Sequence, residues 1–218
     1  MSTPRGQFVV FEGLDGAGTT TQLRLLADWL TDRGVPVEAT REPSDGPFGS
    51  VIRQAIEGRV RLDPVALALA FAGDRADHLS NELNGIEQAL GRGSWALCDR
   101  YVLSSLAYQS SADVSFDWLR DLNKFVRQPD VTVFVDTPVE TCMERLSSRS
   151  ARTELFHDKS ELERVELNYR QAVEVDEFVG RLVTVDGSPP ADEVFGAVAD
   201  ALGPWLESVG VGTAEARR

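Results

Sequence analysis

Apolar positions along this chain follow two rhythms. Five short apolar runs, at 7–12, 35–40, 95–99, 131–136 and 182–186, are interrupted by few polar residues and bounded by turn formers or charges. Runs of this length and uniformity predict strands covered on both faces, as in a parallel sheet. Between them, apolar residues return every three or four positions, which predicts amphipathic helices over 20–33, 48–58, 64–91, 103–110, 116–126, 138–148, 162–178 and 191–206. In the first of these Leu23, Leu26, Ala27 and Leu30 share a face, and Gly34 follows as a stop. Pro64 suits the first turn of the third.

Strands alternating with helices predict an α/β fold: a five-stranded parallel sheet flanked by helices, as one domain over 1–208 with a flexible tail at 209–218. The stretch 147–160 breaks the rhythm. It is polar, carries Arg149, Arg152 and Lys159, and sits between two helices. A mobile lid is the expectation there.

Composition narrows the function. Hydrophobic residues make up 42% of the 218, enough for a sizeable core. The net charge of -13 argues against general nucleic-acid binding, which needs a basic face. No apolar run reaches the roughly 18 residues of a membrane span, and positions 1–7 lack a signal-peptide core, so a cytoplasmic protein is expected. Cys98 and Cys142 read as buried thiols, and with only His78 and His157 beside them no zinc cluster is predicted.

The strongest local chemistry is Gly13-Leu14-Asp15-Gly16-Ala17-Gly18-Thr19-Thr20, placed after the first strand and opening the first helix. A Walker A phosphate loop requires that context. Glycines let successive N–H groups turn toward phosphate oxygens, and the helix N-terminus favours an anion. Thr20 stands where that pattern puts a Mg²⁺-binding hydroxyl. Its lysine position, however, holds Thr19, which offers a hydroxyl instead of a full charge.

With its flanks, Phe11-Glu-Gly-Leu-Asp-Gly-Ala-Gly-Thr-Thr-Thr-Gln22 resembles the phosphate loop of the thymidylate kinase family. Three further segments resemble that family in the same order: Thr40-Arg-Glu-Pro43, Phe71-Ala-Gly-Asp-Arg75-Ala-Asp-His78, and Asp99-Arg-Tyr-Val-Leu-Ser-Ser-Leu-Ala-Tyr-Gln109. The departures are Thr19 and Ser44-Asp45, where the family usually has Gly-Gly.

The resemblance implies a P-loop nucleoside-monophosphate kinase that uses ATP and Mg²⁺ to phosphorylate dTMP, as a homodimer. It implies that Gly13 to Thr21 hold the donor's phosphates. Asp15 would face the acceptor's 3′-hydroxyl and help order the phosphate or its metal, and Arg100 would clamp the acceptor phosphate. Asp99 would act with Thr20 around Mg²⁺. Phe71 would stack on thymine, Arg75 would bond a base carbonyl, and Ser104, Ser105 and Gln109 would complete the base contacts. Tyr108 would exclude a 2′-hydroxyl, Pro43 would shape the pocket floor, and Arg53 would reach the phosphate or base. With no basic residue in the loop, Arg149 and Arg152 are expected to supply the charge that Thr19 lacks, with Arg145 assisting and Lys159 as an outsider. Two competing readings stay open: a kinase for another deoxynucleotide or nucleoside, and a nucleotide-binding protein without catalysis. Thr19 supports the second, and the acceptor-site segments speak against it.

Overall fold

The computed structural model describes residues 5–149 and 159–212, apart from the side chains of Arg149 and Asp176. Strands β1 (Phe8–Gly13), β2 (Val37–Arg41), β3 (Trp95–Asp99), β4 (Val131–Asp136) and β5 (Arg181–Asp186) form one sheet in the order β2-β3-β1-β4-β5. Every pairing is parallel. β1 is central, with Val10 opposite Cys98 of β3 and Thr132 of β4, and it is buried at every position. That burial on two faces is why its sequence is an almost unbroken apolar run. The edge strand β5 instead alternates buried and exposed residues over its second half.

The helices are α1 (Thr19–Thr31), α2 (Pro47–Ile56), α3 (Pro64–Ser80), α4 (Ile86–Gly91), α5 (Val102–Gln109), α6 (Phe116–Leu122), α7 (Val139–Arg149), α8 (Lys159–Ala172), α9 (Asp176–Val179) and α10 (Ala191–Ser208). Trp205 of α10 meets Trp95 of β3 with ring centroids 5.2 Å apart, fastening the last helix to the sheet. No helix among the described residues is long and apolar enough to cross a membrane.

Three expectations are corrected. The stretch 64–91 is two helices. Asn81 ends α3, its side chain accepts from the Leu83 N–H at 3.0 Å, and a Cβ on Gly85 would lie 2.5 Å from the Asn81 carbonyl oxygen. Apolar spacing alone does not register such an Asn/Gly turn. The stretch 162–178 is also broken, into α8 and α9. The expected lid at 147–160 yields its ends to α7 and α8, and 150–158 lie outside the described residues, as do 213–218 of the expected tail.

Candidate active site

The Gly-rich loop joins the carboxyl end of β1 to α1, at the edge of the sheet where open α/β folds bind ligands. Gly18 caps α1 with φ 105°, and among the described residues no side chain caps the helix. Among those residues, too, the N–H groups of Gly16, Gly18, Thr19 and Thr20 have no protein acceptor. Such a row of free donors at a helix start is an anion site. Gly16 must be glycine for two reasons: its φ is 87°, and a Cβ there would lie 2.7 Å from the Cys142 carbonyl oxygen of α7. Thr19 is buried, and its methyl lies 3.2 Å from a Cβ placed on Gly13. It packs across the loop and brings no charge to it.

Thr20 donates a short hydrogen bond to Oδ2 of Asp99, at the end of β3. The other carboxylate oxygen, Oδ1, is buried without a partner among the described residues. A hydroxyl beside an orphaned carboxylate oxygen is a hard-oxygen pair of the kind Mg²⁺ takes.

Arg100 follows Asp99 in the left-handed region, φ 72°, the only non-glycine among the described residues to do so. Its N–H donates to the Phe11 carbonyl at 2.9 Å, and its own carbonyl accepts from the Cys98 thiol at 3.1 Å. This turn swings the guanidinium over the loop. Nη2 donates to Asp15 Oδ1 at 2.6 Å, and Nη1 to the Gly13 carbonyl at 2.9 Å. Nη1 also meets the hydroxyls of Ser104 and Tyr169, each at 3.2 Å. Both hydroxyls in turn donate to Glu12 Oε2, at 2.6 and 3.0 Å. Glu12 is fully buried and also accepts from the N–H groups of Tyr101 and Ser104. Burial pushes its carboxyl up from the usual range, while Ser104 and the charge of Arg100 pull it back. For Arg100, burial opposes the charge, but Tyr108, Tyr169, Asp15 and Glu12 outweigh it and hold its pKa well above the ordinary value. The guanidinium is also within hydrogen-bonding reach of the Tyr108 hydroxyl.

A cavity of about 640 Å³ opens beside Arg100. Asp15, Pro43, Phe71, Arg75, Asp99, Ser104, Ser105, Tyr108 and Gln109 line it with Arg100, so the structure gathers every expected acceptor residue except Arg53. Tyr108 accepts from the Asp15 N–H at 2.8 Å, and its ring centroid lies 5.1 Å from the Arg100 guanidinium carbon. Gln109 leaves its buried Oε1 without a partner among the described residues. Arg53 lies elsewhere: it donates to the carbonyls of Pro43 and Ser44, bracing the loop that carries Pro43. Ser44 in turn gives its N–H and hydroxyl to the two oxygens of buried Asp74, both at 2.6 Å. Arg75 is 1% exposed and is largely taken up by Glu42, Asn123, Ser105 and the Tyr101 carbonyl.

On the other side of the loop is a smaller cleft of about 260 Å³, between α1, α7 and the start of α10. Arg145 stands there. It donates to the Ala17 carbonyl of the loop at 3.2 Å and to the Ser188 carbonyl at 3.0 Å. The expected charge donors Arg149, by its side chain, and Arg152 lie outside the described residues.

One phosphate loop thus separates two cavities, with a guanidinium between them. A family model described as thymidylate kinase matches residues 11–198, which contain the loop and both cavities. The chain belongs to the thymidylate kinase family. It is similar to "Probable thymidylate kinase" of Pyrococcus abyssi, 42% identical over 178 residues, covering 78% of this chain and 84% of that protein. It is similar also to proteins of the same description from Thermococcus kodakarensis, 41% identical over 177 residues (77% and 84% of the two chains), and Methanococcus aeolicus, 38% identical over 167 (77% and 79%). It is accordingly a nucleoside-monophosphate kinase on a P-loop fold.

Sequence reasoning overlooked several residues of this thymidylate kinase site. Glu12 appears in the loop motif, but only its burial and four donors reveal it as the anchor of Arg100's surroundings. Tyr169 is 157 positions from Glu12, so no local pattern links them. Leu162 and Val165 of α8 also line the acceptor cavity. Their helical spacing marked an apolar face without saying what it faces.

Proposed function

We propose that this enzyme transfers the γ-phosphoryl group of ATP to the 5′-phosphate of dTMP, giving dTDP and ADP. The observation that carries this reading is the position of Arg100, on the phosphate loop and on the wall of the larger cavity at once. Its guanidinium suits an acceptor phosphate, since a planar fork matches phosphate oxygens. Free loop N–H groups would hold the donor's phosphates. The acceptor is already an ionised phosphate, so no general base is required. Positioning and charge neutralisation then supply the rate.

Thr20 and Asp99 would hold Mg²⁺, which neutralises charge on the donor's phosphates when bound. Phe71 would stack on the thymine, Arg75 would bond a base carbonyl, Ser104, Ser105 and Gln109 would complete the base contacts, and the anchored Tyr108 ring would leave no room for a 2′-hydroxyl. Because Thr19 carries no charge, Arg149, the last residue of α7, and Arg152, three positions on in sequence, would complete the neutralisation, with Arg145 already against the loop. The same reading implies a cytoplasmic enzyme and a homodimer. In support of the dimer, Phe48 and Val51, one turn apart on α2, and Val65 and Leu69, one turn apart on α3, are 41–50% exposed, and Phe48 packs over Gly73 of α3.

ADP release coupled to added dTMP, dCMP, dUMP or thymidine tests the reading, in the parent chain and in Thr19→Lys. Fastest turnover with dTMP is expected. Preference for dCMP or thymidine would reject the acceptor. A parent that is inactive while Thr19→Lys is active would favour a nucleotide-binding protein without catalysis.

A further inference from the structure

Two motif residues, Glu42 and His78, are buried, and Glu42 lines the acceptor cavity. Glu42 Oε2 accepts from Nε of Arg75 at 2.8 Å and forms an ion pair with Nη2, also at 2.8 Å. Glu42 Oε1 lies 3.2 Å from Nδ1 of His78, whose Nε2 lies 2.7 Å from the Thr40 hydroxyl. A carboxylate only accepts, so His78 Nδ1 carries a proton, and a neutral imidazole then accepts at Nε2 from Thr40. The result is a chain that converges on Glu42, with Thr40 behind His78 on one side and Arg75 on the other, linking β2 to α3.

The guanidinium of Arg75 has five N–H groups. Nε–H goes to Glu42, the Nη2 pair is shared among Glu42, Tyr101 and Ser105, and one Nη1 hydrogen goes to Asn123. Among the described residues one Nη1 hydrogen is left, on a residue that lines the cavity. A single fixed donor can pair with a carbonyl on a base, while an amino group at the same place would meet donor against donor.

We propose that Glu42 and His78 are positioning residues for base recognition. They fix the rotation of Arg75 so that its remaining N–H selects an acceptor base with a carbonyl at that edge over one with an amino group. Cys98 brings its sulfur within 4.8 Å of the same Glu42 and His78 atoms, a spacing a metal could use. Glu42 is already committed to Arg75, however, so the hydrogen-bond chain accounts for the cluster. The inference rests on the proposed dTMP activity.

The test compares His78→Leu, His78→Asn and Thr40→Val with the parent, in full steady-state kinetics for dTMP, dCMP and ATP. His78→Leu removes both hydrogen bonds, while His78→Asn keeps a donor toward Glu42. Loss of a buried hydrogen bond to a charged group predicts a rise in KM for dTMP of roughly 10-fold or more in His78→Leu. kcat and the KM for ATP should stay near the parent's, the preference for dTMP over dCMP should narrow, and His78→Asn should recover most of the loss. Thr40→Val, which removes one hydroxyl, should show the same pattern at about 3-fold and decides the matter if His78→Leu does not fold. Unchanged KM and selectivity, or equal losses toward dTMP and ATP, overturn the inference. A parent that does not phosphorylate dTMP overturns the proposed function instead.

Discussion

Asp15 and Arg100 form an ion pair of 2.6 Å on the wall of the acceptor cavity. The pair holds the guanidinium in place before any phosphate arrives. Arg100→Lys keeps the charge but loses the fork. Each charged hydrogen bond lost costs about 1.5–3 kcal/mol. We expect kcat/KM for dTMP to fall roughly 10- to 100-fold or more with the KM for ATP little changed. A lysine variant with parental kcat/KM would remove Arg100 from phosphate recognition.

The uncharged loop makes a second prediction. Arginines that neutralise a transferring phosphoryl group contribute about 10³–10⁵ in rate. Arg152→Ala should therefore slow turnover strongly while dTMP, titrated calorimetrically, still binds. Parental turnover in both Arg152→Ala and Arg149→Ala would move the task to Arg145, which already touches the Ala17 carbonyl.

Glu12 should reveal itself through pH. Burial raises its folded-state pKa above the ordinary value that it has when unfolded. Such a group favours folding below the unfolded value, and that contribution is lost as pH rises through the raised one. The side-chain amide introduced by Glu12→Gln cannot ionise. In urea titrations, the stability of Glu12→Gln relative to the parent should improve from pH 5 to pH 8. A flat or falling difference would contradict the burial argument.

Ser44 stands where the family usually has glycine, and the structure gives it a purpose. Its hydroxyl satisfies Asp74 Oδ1 while its N–H takes Oδ2. Ser44→Gly leaves a buried carboxylate oxygen short of one donor, at a cost of about 1–3 kcal/mol. The urea midpoint should drop accordingly, and an unchanged midpoint would show that water replaces the hydroxyl without loss.

Both cysteines should be inert in the native state. Burial drives the Cys98 thiol well above its ordinary range, and mainly burial raises Cys142 to about 11. At pH 8 a disulfide reagent should titrate neither thiol until denaturant is added, and then both. Rapid reaction of the native enzyme would place a thiol at the surface.

The sheet was legible because its strands are buried apolar runs, and β3 and β4 begin and end where the pattern put them. Ser105 and Tyr108 were legible because their motif sits on one short helix behind Arg100. What escaped depends on contacts distant in the chain. Nothing in the sequence near Arg53 tells that it donates to the Pro43 and Ser44 carbonyls. Arg75 looked like a free hand, and its four partners come from the β2–α2 loop, β3–α5 loop, α5 and the end of α6. Hydrophobic periodicity reports which side of a helix is buried; it carries no information on which polar groups meet there.

The central place of β1 has a consequence for how the enzyme could change. Position 41 to position 111, together with α8, builds most of the acceptor wall, whereas the opposite cleft draws on 145 and on 187–194. Between them lie the Gly-rich loop and Asp99, whose carboxylate reaches Thr20 at the start of α1. Exchanging the 41–111 module between related kinases that both keep this aspartate should thus transplant the choice of nucleotide to be phosphorylated while leaving the fuel it burns untouched.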